Sequence, residues 1–521
     1  MFNSRSIQGI IVLIIGLFLA IWLGLSIATN QIETIIQVVA AAVFIGCLFL
    51  HKRIWLLVPF MAALGISLRI PGQPNSLLLA QALVLGFCTL LFLMRKLPFQ
   101  LAWTELEFWI VILTLLIAQV YIRNPVSVSL FGGDTVGGKG YILYAVALAS
   151  TLLFCGLRVS PGELKWVLPL SILGGLANAA ISVLGSFIPT IGYYTGSGAY
   201  TASAEAGYDN EVVDSKAATR IFFLGGLSNN LSLWVASYIS PLKACLRPLW
   251  AILILAALAA AMLSGFRNSL ISVGLTLMLG IAYRSGFGGV ALSLFGGIGG
   301  LALLAVVNTM NPLPPNIQRS LTFLPGTWEQ RYKDDAAGST EWRIEIWREV
   351  LLTDRWIQNK WLGDGIGFSA AELSSQMATR KGVRTGISGF DAFRENILSS
   401  GDYHSGPVST IRVIGYIGLL FFLLAQIRLA VHAHRQILRC RGTEWLPLAL
   451  FVGIPIVWGP VFFIFIFGDF KTGAASFLLA LSMIRLLENN LPLSAYVKRS
   501  HTPYILNGKN QGKIEPSGNA I

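Results

Sequence analysis

Charge is what this sequence has least of. Asp, Glu, Lys and Arg supply 12% of its 521 residues, about half the share found in soluble domains, which excludes an ordinary water-soluble fold. Cysteine is scarce too. Cys47, Cys88, Cys155, Cys245 and Cys440 lie in apolar runs or beside basic loops, in neither a disulfide framework nor a zinc-ligand spacing. The net charge of +13 is scattered in small groups beside apolar runs, with no clustered basic face, so nucleic acid is not an expected partner. The glycines of Gly137-Gly138-Lys139-Gly140-Tyr141 follow no strand, and no Ser or Thr follows the lysine, so they do not form a nucleotide phosphate loop.

What is abundant is apolar surface: 55% hydrophobic residues and a mean hydropathy of +0.68. A bilayer core of about 30 Å takes about 20 apolar residues per helix. Fourteen runs meet that need, near 8–28, 32–50, 54–68, 76–94, 106–122, 141–157, 166–187, 221–240, 249–264, 268–283, 287–307, 408–430, 446–467 and 472–488. The first has no small-residue cleavage site behind it and reads as a retained helix. The expected fold is therefore an all-α polytopic membrane protein of about 14 transmembrane helices. Its organisation reads as an N-terminal transmembrane bundle (1–220), helices 8–11 (221–307), one large extracytoplasmic cap (308–407), C-terminal transmembrane helices (408–490) and a polar cytoplasmic tail (491–521).

Orientation follows from short connections. With a cytoplasmic N-terminus, nineteen Lys and Arg fall inside, while only Arg69, Arg123, Lys139, Lys216, Arg220, Arg267 and Lys471 fall outside. Basic residues near helix ends resist translocation, so both termini are expected in the cytoplasm and the long loops outside. The 308–407 segment carries eleven Lys/Arg against twelve Asp/Glu, as a small folded cap would. Within it, Thr340 to Leu352 predicts a helix with Thr340 as N-cap, Arg343 and Trp347 sharing a face at i,i+4. Leu362-Gly363-Asp364-Gly365-Ile366-Gly367 predicts a glycine turn. Asp334-Asp335 reads as solvated loop. Asn229 and Asn230 read as helix-packing amides, and Tyr193, Tyr194, Tyr200 and Tyr208 as loop residues.

Four arginines gather at the expected outer face: Arg220, Arg267 in Ser264-Gly265-Phe266-Arg267, Arg343 and Arg412. A guanidinium fork binds two phosphate oxygens and keeps its charge, which suits a diphosphate; the plain alternatives are headgroup contact and surface ion pairing. His404, in Asp402-Tyr403-His404-Ser405-Gly406-Pro407, closes the cap just where an apolar run begins. Near neutral pH an imidazole can accept a proton.

His404-Ser405, nine residues, Gly415, two residues, Gly418, followed by Leu419-Leu420-Phe421, resembles the histidine motif of the O-antigen ligase and Wzy-type polysaccharide polymerase superfamily. Ser264-Gly265-Phe266-Arg267 resembles that family's Thr-Gly-Ser-Arg turn, with Phe266 in place of a small residue. Arg343 with Trp347 and the glycine turn resemble its loop segment. The resemblance, from about Arg220 to Ala430, implies a bacterial inner-membrane glycosyltransferase that needs no metal or other cofactor, and the expected outer face carries no Asp-x-Asp motif. Its partners would be an undecaprenyl-diphosphate-linked glycan donor, a glycan or lipid acceptor, and membrane lipid. His404, Arg267 and Arg343 would be catalytic; Arg220, Arg412, Trp347 and Tyr403 would bind substrate. The competing expectation is a transporter or flippase of lipid-linked oligosaccharide.

Overall fold

The computed structural model describes residues 50–69, 73–126, 138–195, 221–367 and 403–491, with 46, 394, 397, 398 and 401. The run 8–28, nearly all of 32–50, the tail from 492, Arg220, Tyr200 and Tyr208 lie outside these residues. The described chain is all-helical, and among its residues no strand forms beyond two isolated bridges. Its helices are α1 (Leu57–Leu64), α2 (Ser76–Leu93), α3 (Glu105–Arg123), α4 (Lys139–Gly156), α5 (Val167–Phe187), α6 (Phe222–Tyr238), α7 (Pro248–Leu263), α8 (Arg267–Met310), α9 (Pro315–Leu321), α10 (Gln330–Leu352), α11 (Gly406–Arg439), α12 (Leu446–Phe465) and α13 (Phe470–Asn490), with a few shorter turns between.

Among the described residues, eight helices are long and apolar enough to cross a membrane: α2, α3, α4, α5 with the turn before it, α8, α11, α12 and α13. The protein is thus a polytopic membrane protein. Apolar side chains such as Phe287, Phe295, Leu292 and Leu303 face outward, because hydrocarbon rather than water is their solvent.

Polar residues set the helix starts. The Asn75 side chain accepts from Leu78 N at 2.7 Å, Ser405 caps α11, and Asp469 caps α13. Thr104 and Glu107 form a capping box at α3, each satisfying the other's free backbone N–H.

Three expectations are corrected. The runs 268–283 and 287–307 are joined without a loop in α8, interrupted at one residue, Gly286 (φ 74°, ψ −169°). The run 54–68 becomes a 3-10 turn, His51–Leu56, leading into the short α1, which Gly65 stops in a left-handed conformation. Thr340 is not an N-cap, because α10 starts at Gln330 and carries Thr340 and Asp334 within it. Gln, Arg, Lys and Ala are good helix formers, and their summed preference outweighs the roughly 1 kcal/mol cost of Gly338.

At the end opposite His404, α3, α11 and α13 are tied by ion pairs, the Arg485–Glu107 pair buried and the Arg428–Glu105 pair exposed. Arg485 donates to Glu107 at 2.6 Å, Glu488 at 2.9 Å and the Ala102 carbonyl at 2.9 Å. His432 Nδ1 lies 3.1 Å from Glu488, and Arg428 lies 3.0 Å from Glu105. Glu107 and Arg485 are almost inaccessible, so removing one strands the other's charge. Arg485→Met is therefore expected to destabilise the fold by about 3–5 kcal/mol. Thermal unfolding in detergent checks this, and an unchanged melting temperature contradicts it.

Candidate functional site

The glycine turn and the start of α11 build each other. Gly415 (φ 73°, ψ −178°) interrupts α11 and frees backbone groups of its first turns. The 360–365 backbone takes them up: Asp364 N donates to Arg412 O at 2.8 Å, Gly365 N to Val413 O at 3.1 Å, and Tyr416 N to Lys360 O at 2.8 Å. Such close approach needs glycine on both sides. A Cβ on Gly415 would sit 2.1 Å from Trp361 O, and one on Gly363 2.4 Å from Val413 O. Gly363, Gly365 and Gly367 all have positive φ, as the expected turn requires.

Side chains lock this joint. The Asp364 carboxylate accepts from Gln358 N at 2.7 Å and Asn359 N at 3.0 Å, and it lies 3.6 Å from the Arg412 guanidinium. From the far side, Gln119 and Arg123 of α3 donate to Leu362 O and Gly363 O at 3.0 and 2.6 Å. Asn124 donates to Asp364 O at 3.1 Å, and Ile366 N donates to the Tyr141 hydroxyl at 2.9 Å.

His404 stands one step before α11 in a left-handed conformation (φ 51°), uncommon for a residue with a side chain. Its ring stacks on Phe467 (5.6 Å, 26°) and meets Trp342 of α10 at 6.2 Å. The backbone beside it is fixed by burial. Tyr403 is 0% exposed, its hydroxyl donates to Leu398 O at 3.2 Å, and its carbonyl accepts from Trp347 Nε1 at 2.9 Å. Below, Ile346, Val350, Trp356, Val408 and Ile411 form one apolar cluster that seats α10 on α11. Loop 467–468 presses against Gly406, whose Cβ would fall 2.5 Å from Phe463 O.

Arg267 belongs to a second locus. Gly265 (φ 73°) turns the chain between α7 and α8, and α9 clasps that turn. Asn316 donates to Leu263 O at 2.9 Å, Arg319 to Gly265 O at 2.5 Å and Ser320 to Met262 O at 3.2 Å. Ile221 N donates to Ser264 O at 3.1 Å, and Phe222 meets Phe266 at 4.8 Å, so the residue following Arg220 abuts the Arg267 turn. Gln318 of α9 reaches Glu329 at the head of α10 at 3.0 Å.

The structure thus brings together His404, Tyr403, Trp347 and Trp342; Arg343, half-buried, follows Trp342 in α10. Tyr403 is enclosed behind the histidine, and Arg412, 3% exposed, has an acidic partner in Asp364. Asn230 packs on Gly175 of α5, where an added Cβ would meet its amide at 2.7 Å, the helix-packing role expected. Phe467, Trp342 and Arg319 were not singled out by sequence, and Asp364 and Arg123 were given no role in the site. Phe467 had a faint signal, the aromatic, glycine and acid of Phe467-Gly468-Asp469; Arg319 had none.

Beside Phe467 a mostly apolar cavity of about 360 Å³ runs between α11, α12 and α13, lined by Gln426, Pro455, Trp458, Phe463 and Phe477 among others. Among the described residues no group of His, Cys, Asp and Glu is arranged to hold a metal ion. No protein-family model matches the chain, and no curated protein matches it.

Proposed function

We propose that this protein is a membrane glycosyltransferase of the O-antigen ligase and polymerase type, transferring an undecaprenyl-diphosphate-linked glycan at the outer face of the bacterial inner membrane. The observation that carries the reading is His404 held by Phe467, Trp342 and the enclosed Tyr403 at the head of a membrane helix, with Arg343 on the adjoining helix. In this reading the acceptor hydroxyl oxygen attacks the anomeric carbon and gives its proton to His404. The bond from that carbon to the diphosphate breaks, and the charge left on the diphosphate is met by Arg343 and Arg267. The apolar cavity beside Phe467 suits the isoprenoid chain.

A second reading, a transporter of lipid-linked oligosaccharide, draws on the breaks in α8 and α11 at Gly286 and Gly415, since interrupted helices mark substrate sites in transporters. Purified protein in detergent separates the two, because chemistry needs no sealed membrane. Given lipid-linked glycan and acceptor extracted from cells that carry the gene, it is expected to release free undecaprenyl diphosphate and form a new glycoside. No release overturns the enzymatic reading. Surface glycans of a deletion strain then distinguish the acceptors: single repeats still attached indicate a polymerase, and loss of all repeats a ligase.

A further inference from the structure

His404 ends a strap of chain that packs on α10 and α11, of which Arg394, Ile397, Leu398, Gly401 and Tyr403 are described. The Tyr403 carbonyl accepts from Trp347 of α10 at 2.9 Å, and the Gly401 carbonyl accepts from Ser409 of α11 at 3.3 Å. Ile397 and Leu398 are buried in the apolar cluster that α10 and α11 share. Farthest along the strap from the histidine, the Arg394 guanidinium donates to the Glu349 carboxylate of α10 at 2.8 Å. The other oxygen of that carboxylate accepts from Trp356 Nε1 at 2.7 Å. One carboxylate thus joins α10, the turn that follows it and the strap.

We propose that Glu349 and Arg394 are the positioning pair of His404: they set the register of the strap against α10, and so the angle at which the imidazole faces the reacting atoms. A peptide unit is planar, so holding the Tyr403 carbonyl holds the plane that carries His404 N. His404 keeps a φ of 51°, an angle that a residue with a side chain leaves when it is not held. Trp347 can hold that plane only while the strap lies in register with it. The apolar cluster beneath is non-directional and lets the strap slide, whereas a charged hydrogen bond is directional and stops it. The pair's side chains are 35% and 25% exposed, and an ion pair so placed adds little to global stability; its consequence is local. A displacement of about 1 Å at a reacting group can cost about 10²-fold in rate. The effect on rate rests on the transfer reading; the effect on the histidine rests on geometry alone.

The test compares Arg394→Met, Glu349→Gln, the double variant and the conservative Arg394→Lys in detergent-solubilised full-length protein. Glu349→Gln keeps an oxygen for Trp356 while removing the charge that holds Arg394. With extracted lipid-linked glycan and acceptor, each single variant is expected to lose about 10–100-fold in kcat with KM within about twofold of the parent. The double variant falls no further, because both changes remove one interaction, and Arg394→Lys recovers most of the loss. Melting temperatures stay within about 4 °C of the parent. Diethyl pyrocarbonate labelling of His404, read by mass spectrometry, needs no turnover. It is expected to run severalfold faster in Arg394→Met, while His434, exposed at the other end of α11, labels equally in both proteins. Equal labelling of His404 overturns the proposal, as do an unchanged kcat in both single variants, additive losses in the double variant, no recovery in Arg394→Lys, or a collapse of the melting temperature. If the parent transfers no glycan, the transfer reading fails and the labelling of His404 alone decides the positioning role.

Discussion

His404→Asn is expected to lower glycan transfer by about 10²–10⁴-fold, the contribution of a positioned proton acceptor, while the protein still assembles. Asparagine is the informative substitution because it tolerates the left-handed backbone that His404 adopts (φ 51°). It keeps a polar group but has no nitrogen able to take a proton near neutral pH. Both substitutions remove the ring that meets Phe467 and Trp342; alanine also lacks the polar group and fits the left-handed backbone less well, so its deficit should be at least as large. Arg267→Ala should lose a further electrostatic contribution of about 10²–10³, acting from the turn that α9 holds. Transfer is measured with the purified enzyme and extracted lipid-linked glycan. Activity of His404→Asn within a few fold of the parent would remove the histidine from the mechanism.

Gly415→Ala is expected to disrupt the site from a distance. Its φ of 73° with ψ of −178° lies in a region essentially confined to glycine, where strain costs about 1–3 kcal/mol. The new methyl would also fall 2.1 Å from Trp361 O, against backbone that cannot rotate away, adding about 1–3 kcal/mol of overpacking. Relief requires the glycine turn to leave α11, which forfeits the bonds of Asp364 N and Gly365 N and the Asp364–Arg412 ion pair. Gly274→Ala is the control, since it lies in α8 with nothing within 4 Å of an added Cβ. It should be neutral or slightly stabilising. Melting temperature and monodispersity of the detergent-solubilised protein report both, and indistinguishable variants would contradict the account of the joint.

The spacing from His404 to Gly415 and Gly418 is legible as a motif long before its cause is visible. The structure supplies that cause at Gly415: a helix break whose released backbone groups are taken by another glycine-bearing segment. The partner could not be found by pattern, because Asp364 and Arg412 are 48 positions apart in the chain and nothing in either local sequence names the other. The sequence reading of Arg412 as a phosphate-binding candidate named no acidic partner for the same reason. Tyr403, adjacent to the histidine, looked equally available for substrate, and only packing by α10 shows that its ring is enclosed.

Local chemistry is read well where its cause is local. Helix existence follows from hydrophobic content and length, so every apolar run from 76 onward that falls among the described residues appears as helix, most within two or three residues of the expected ends. The glycine turn follows from the freedom of glycine itself. What the sequence alone determined about this protein is a helical, membrane-embedded chain with a histidine at the head of an apolar helix. Tertiary structure decided which side chains stand around that histidine and which arginine already has an acidic partner. Those outcomes depend on contacts between segments tens or hundreds of residues apart, whose energies are set by burial and geometry that no local pattern encodes.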